Sequence, residues 1–171
     1  DTWAREHPTN FYVMSRQAEQ LVEDKQWAEA KNVLKKLVDA FPGYVGPDGG
    51  YAMLAAAHRA LGETNAEREV LTRWAEKDDE ATDAYLRLME MESAATNWPA
   101  VLLNGNRFLA VNPLIMPPYR FVTQASEQVG DPAGAIAAFR SWLELDPPDP
   151  VEVHFNLARL LHKSGDPGAK R

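Results

Sequence analysis

Apolar residues recur along this chain at steps of three and four. Between Phe11 and Asp24 they fall at Met14, Ala18, Leu21 and Val22. Between Trp27 and Pro42 they fall at Ala30, Val33, Leu34, Leu37, Val38 and Phe41. That period is the signature of a helix with one buried face. The two runs are separated by the short polar turn Lys25-Gln26-Trp27, and the second is stopped by Pro42-Gly43. The first unit therefore reads helix, tight turn, helix, proline. The same reading predicts first helices at about 11–24, 50–61, 82–95, 118–129 and 151–164, and second helices at about 28–40, 66–77, 99–111 and 133–145. Pro99 then sits at a helix start, where its missing N–H costs little. Sustained two-residue alternation is absent, and no Asn-Gly or Asp-Gly pair stands between β-branched runs, so no strand is expected. Asn104-Gly105 lies inside an apolar helical pattern, and Pro47-Asp48-Gly49-Gly50 marks a turn in the longest connector. The fold class is all-α.

The pattern repeats. Gly130-Asp131-Pro132 returns as Gly165-Asp166-Pro167, and Pro42, Pro113 and Pro147 each close a helical run. Five residues before these prolines stand Leu37, Phe108 and Trp142. Trp74 joins the column, with Asp79 where its proline would be. The steps are 37, 34 and 34, and the three extra residues coincide with the Gly/Pro-rich connector near Pro47. Trp27 and Trp98 also match, each ahead of a second helix. The units are 11–47, 48–81, 82–115 and 116–150, with an incomplete one at 151–171, forming one repeat domain after an N-terminal extension at 1–10.

On these residues the chain, from Phe11 onward, resembles the tetratricopeptide repeat family. The resemblance implies an antiparallel helix-hairpin solenoid, a right-handed superhelix of about four and a half repeats. It implies that Ala18, Ala55 and Ala158 in first helices, and Ala30 and Ala135 in second helices, let neighbouring helices approach. Leu54, Leu88, Val122 and Leu157 supply the matching apolar contact. Met89, Thr123, Glu67 and Val101 depart from the small-residue rule. Leu37, Trp74, Phe108 and Trp142 depart further, standing where the family usually has Ala. The fifth unit has a first helix but stops at Arg171, which leaves Phe155, Leu157, Leu160 and Leu161 expected to be partly uncovered. The sequence reads as an excised piece of a longer repeat protein whose cut end is expected to self-associate.

Composition removes several kinds of chemistry. There are no cysteines, so thiol catalysis, Cys-ligated zinc and disulfides are excluded. The net charge is −7, with 25 acidic against 18 basic residues, which argues against a general attraction to nucleic acid or anionic membranes. No apolar run approaches the roughly 20 residues of a membrane span, and the start carries no signal-peptide pattern. His7, His58, His154 and His162 form no recognised ligand spacing. No nucleophile elbow, Walker loop or dinucleotide fingerprint is present. The GPDGGY stretch at 46–51 lacks the Lys and Ser/Thr of a phosphate loop and reads as a connector. Asp78-Asp79-Glu80 and the Glu90/Glu92 pair read as solvated charge. No catalytic residue, cofactor or metal is expected.

What the resemblance implies instead is binding of a protein or peptide segment along the concave face, which first helices line. Carried over residue by residue, that face comprises Tyr12, Ser15, Arg16 and Glu19; Ala52, Met53 and Ala56; Asp83, Leu86, Arg87 and Glu90; Arg120, Phe121 and Gln124; and Phe155, Asn156 and Arg159. Arg16, Arg87, Arg120 and Arg159 form an interrupted basic line suited to an acidic or C-terminal peptide, and Tyr12, Phe121 and Phe155 are candidate aromatic anchors. The competing reading pairs Arg16 with Glu19 and Arg87 with Glu90, each three apart on a helix. The Lys/Asn/Arg clamp of the family's chaperone-tail binders is absent, since Ser15, Glu19 and Met53 occupy its early sites. A non-catalytic scaffold is the leading expectation. The alternative is an accessory repeat segment of a larger bacterial enzyme such as a peptidase, positioning it or its substrate.

Overall fold

The computed structural model describes residues 2–165. It contains helices only among the described residues: α1 (Thr2–Glu6), α2 (Phe11–Glu23), α3 (Trp27–Ala40), α4 (Gly50–Ala60), α5 (Thr64–Lys77), α6 (Thr82–Ala94), α7 (Trp98–Val111), α8 (Pro117–Gln128), α9 (Pro132–Leu143) and α10 (Pro150–Ser164). From α2 to α10 every predicted helix is present, with ends within two residues of expectation. The short α1 is additional; its five residues are too few to show a hydrophobic period. Asp166 and Pro167, the second half of the repeated Gly-Asp-Pro, lie outside the described residues, as does the start of any second helix for the last unit.

The intra-unit turns share one chemistry. Each first helix ends with a residue in the left-handed region: Lys25 (φ 57°), Gly62 (71°), Thr96 (56°), Gly130 (78°) and Gly165 (71°). The amide after each of the first four reaches back five residues, Gln26 to the Leu21 carbonyl (2.8 Å), Glu63 to His58 (2.9 Å), Asn97 to Glu92 (2.9 Å) and Asp131 to Ser126 (2.8 Å). This is the Schellman closure, which satisfies the orphan carbonyls of a helix end and reverses the chain. Several starts are capped as well. Asn10 Oδ1 accepts from the Tyr12 amide, Asp131 Oδ1 from Gly134 (2.9 Å) and Asp149 Oδ1 from Glu152 (3.3 Å). Each such cap stabilises its helix by about 1 kcal/mol.

The described residues fall into two compact units that divide between Ala84 and Tyr85, within α6. In the first unit α2 packs on α3, α3 on α4 and α4 on α5. Its core holds Ala18, Ala30, Leu34, Leu37 and Val38, all fully buried, with Leu54, Ala55, Leu71 and Trp74. Each Leu so buried contributes about 1.5–3 kcal/mol of transfer free energy. The small residues Ala18, Ala30 and Ala55 stand at the helix approaches where the sequence placed them. Glu67 takes the place of Ala30 in the next hairpin. Its buried side chain accepts a 2.6 Å bond from Arg59 Nε, so a charge-assisted pair fills a site that a methyl fills elsewhere.

In the second unit α7 packs on α8, α8 on α9 and α9 on α10. Ala135, Ile136, Phe139, Val153, Leu160 and Leu161 form one cluster, and Tyr119, Val122 and Ala138 another. Two expectations need correction. Leu160 and Leu161 are buried rather than uncovered, because α9 already covers the face that carries them. Ala158 is exposed, and Leu157 is half-buried against α9 in its stead. The burial pattern of α10 (Val153, Leu157, Leu160) repeats that of α8 (Tyr119, Thr123, Ser126) at a step of 34, which makes Leu157 the counterpart of Thr123. The close approach in the third hairpin is made by Gly105 instead of Val101. A Cβ at Gly105 would collide with Val122 Cγ2 and crowd the Met89 sulfur.

Candidate functional site

In the first unit the α2 residues divide. Tyr12 is 72% exposed and Arg16 is exposed, whereas Glu19 is half-buried. Arg16 and Glu19 form no ion pair with each other or with another described residue. Ser15 is buried and its hydroxyl donates to the Tyr12 carbonyl at 3.3 Å, so it presents nothing to solvent. On α4, Ala52, Met53 and Ala56 are half-buried. In the same unit, Tyr44 is held above its ordinary pKa by burial, then by the Glu19 and Asp48 carboxylates. On α6, Asp83 at the end of the first unit is exposed; in the second unit's part of that helix Glu90 is exposed while Leu86 and Arg87 are half-buried. Arg87 Nη1 donates to Glu90 Oε2 at 2.8 Å, the helical pair foreseen as the competing reading.

In the second unit the structure brings predicted residues together. A cleft of about 410 Å³ opens between α8 and α10 over α9. Arg120, Thr123, Gln124, Glu127 and Gln128 line it from α8, Phe139 and Trp142 from α9, and Glu152, Val153 and Asn156 from α10. Arg120, Gln124 and Asn156 were named from sequence. Arg120 is exposed, and its guanidinium has no carboxylate partner among the described residues. Arg159 is committed elsewhere: its Nη2 donates to both Glu127 oxygens, at 2.9 and 2.7 Å, tying α10 to α8. Asn156 Nδ2 donates to the Glu152 carbonyl at 3.1 Å, and its amide oxygen accepts a longer bond of 3.4 Å from Arg159 Nη2. Phe121 is half-buried and Phe155 is 67% exposed, and neither lines the cleft.

Two cleft residues, Phe139 and Trp142, were not among those expected to bind; Phe139 is part of the buried core and Trp142 packs against it. Leu37, Trp74 and Phe108, in the same column as Trp142, are buried, but Trp142 stays half-buried beside the cleft. Bulk at this position gives no separate signal, since Trp74 in the same column is equally large and is buried.

Other candidates resolve structurally. In the 46–51 connector the Gly49 N–H is taken by the Gly46 carbonyl (3.0 Å) and the Gly50 N–H by that of Tyr44 (3.1 Å), which withdraws both amides from any anion site. Asp78 accepts from the Trp74 indole N–H at 3.1 Å, and buried Glu92 accepts from Asn97 Nδ2 at 2.7 Å. Among the described residues no group of three His, Asp or Glu converges to hold a metal ion, and no helix is long and apolar enough to cross a membrane. His58 Nδ1 meets Glu63 Oε2 at 2.6 Å and Lys31 Nζ meets Glu63 Oε1 at 2.6 Å, so that cluster joins α3 to the α4–α5 turn.

Neither a family model nor a curated protein matches the chain. Solved structures do. YrrB, described as a tetratricopeptide repeat protein with an unusual peptide-binding site, superposes with a TM-score of 0.72 at 11% identity, covering 97% of this chain and 84% of that one. A MamA structure gives 0.65 at 19% identity over 85% and 83%. MamA from Desulfovibrio magneticus RS-1, in a form running from residue 41 to its end, gives 0.63 at 15% identity over 91% and 86%. The chain therefore has the tetratricopeptide-type helical repeat fold, which the spacing of its turns and prolines had indicated.

Proposed function

We propose that this chain is a non-catalytic protein-interaction scaffold that receives a peptide segment of a partner along its first-helix face. The observation that carries the reading is the α8–α10 cleft, which combines an unpaired Arg120, the amide side chains of Gln124, Gln128 and Asn156, and an aromatic floor. Amides supply donors and acceptors for a peptide backbone, a guanidinium supplies a fork for a carboxylate, and aromatic rings supply rigid apolar area. The similarity of fold to YrrB, a peptide-binding protein of the same architecture, supports the reading. Because Arg87 and Arg159 are paired internally, Arg120 and Arg16 are the cations available to an acidic partner segment.

The test is a partner pull-down with Arg120→Glu. The substitution lies on an exposed helical site, so helicity by circular dichroism stays unchanged while partner recovery is lost. Undiminished recovery would sink the proposal.

A further inference from the structure

Phe139 and Trp142 stack with ring centroids 6.3 Å apart and planes 8° from parallel, and both line the cleft. The Trp142 indole N–H is shut off from water and meets no acceptor. Buried indole N–H groups ordinarily find one. Arg120, on the α8 wall, has no carboxylate partner among the described residues, whereas Glu127, also lining the cleft, is already held by Arg159. The cleft therefore sets an aromatic floor beside an exposed guanidinium that lacks a carboxylate. Its opposite wall carries Glu152, and the chain as a whole carries a charge of −7. Both oppose a run of acidic groups.

We propose, building on the peptide-binding reading, that this cleft selects a segment with one aromatic side chain directly beside one carboxylate. The ring lies on the Phe139–Trp142 floor and the carboxylate takes the Arg120 fork. A volume of about 410 Å³ is of the size that holds a short peptide segment of this kind. Phe139 and Trp142 are then specificity-determining residues supplied by a second helix.

The experiment titrates the whole ¹⁵N-labelled chain with four capped peptides: acetyl-Gly-Phe-Glu-Gly-amide, the same peptide with Gln for Glu, the same with Ala for Phe, and acetyl-Phe-Glu-Glu-Glu-amide. The five indole N–H resonances are followed, with Trp142→Phe, which keeps the aromatic floor, assigning that of Trp142. The Phe-Glu peptide shifts the Trp142 indole and binds about tenfold more tightly than the Gln, Ala and triple-Glu peptides. Arg120→Gln, on an exposed site, abolishes the difference between Phe-Glu and Phe-Gln. Equal binding of all four peptides, or shifts in α8 and α10 that leave the Trp142 indole still, overturns the selectivity while peptide binding stands. An absence of any shift overturns it as well. The broader scaffold reading is judged by partner recovery with Arg120→Glu: it stands if recovery is lost while the four peptides bind alike, which separates its failure from that of the selectivity.

Discussion

Arg159 Nη2 holds both oxygens of Glu127, a contact between residues 32 apart that fastens α10 to α8 along the cleft. The pair is partly solvated, with side chains 42% and 26% exposed, so it stabilises the fold by no more than about 1 kcal/mol. It also neutralises a carboxylate that lines the same cleft as Arg120. Arg159→Ala should leave the thermal melt nearly unchanged and weaken binding of an acidic peptide a few-fold, less than Arg120→Glu does. A large drop in melting temperature with unaltered affinity would show that the pair is structural alone.

Gly105 reverses the usual rule for helices. Replacing a mid-helix Gly with Ala ordinarily gains about 1 kcal/mol. Here the added methyl meets Val122 Cγ2, whose β-branched side chain turns reluctantly, and overpacking of this kind costs about 1–3 kcal/mol. Gly105→Ala should therefore lower the urea midpoint. The same change in a Val122→Ala background should be neutral or stabilising.

Thr96 makes the opposite case. It is a β-branched residue at φ 56°, in a turn position that Gly62 and Gly130 fill in neighbouring units. The left-handed conformation costs such a residue about 1–2 kcal/mol, and Gly returns part of that gain through its greater freedom when unfolded. Thr96→Gly should raise stability by about 0.5–1 kcal/mol in chemical denaturation. Gly62→Thr should lower it.

The cluster around Glu63 predicts an acid dependence. Its carboxyl is held below its ordinary 4.5, first by the Lys31 hydrogen bond and then by that of His58. A carboxyl with a depressed pKa in the folded state contributes stability above its unfolded value and loses it as the pH falls through the folded one. The stability difference between the native chain and Glu63→Gln should be full above pH 4.5 and vanish in stronger acid. A difference independent of pH would remove the carboxylate as its source.

The helices were legible because their apolar period and proline stops are local. The five left-handed turns follow the repeat spacing that the prolines had shown, including at Lys25 and Thr96, where no glycine announces them. Longer-range relations were less legible. Ala158 was read as an approach residue by its type, but burial in α10 follows the step from α8 and makes Leu157 the equivalent position. Gly105 was hidden because a helical Gly reveals its purpose only when the neighbouring Val122 is in place. Of the cation line, the Arg87–Glu90 pair was readable from spacing, whereas the Arg159–Glu127 pair joins different helices and leaves no trace in the sequence.

The central claim is that partners dock on the first-helix face of the second unit. A photo-reactive amino acid placed at Gln124, exposed on α8, is compared with one at Arg140, exposed on α9. Irradiation in the presence of a captured partner should give a covalent adduct from position 124 and none from position 140. Adducts from position 140 alone would contradict the account.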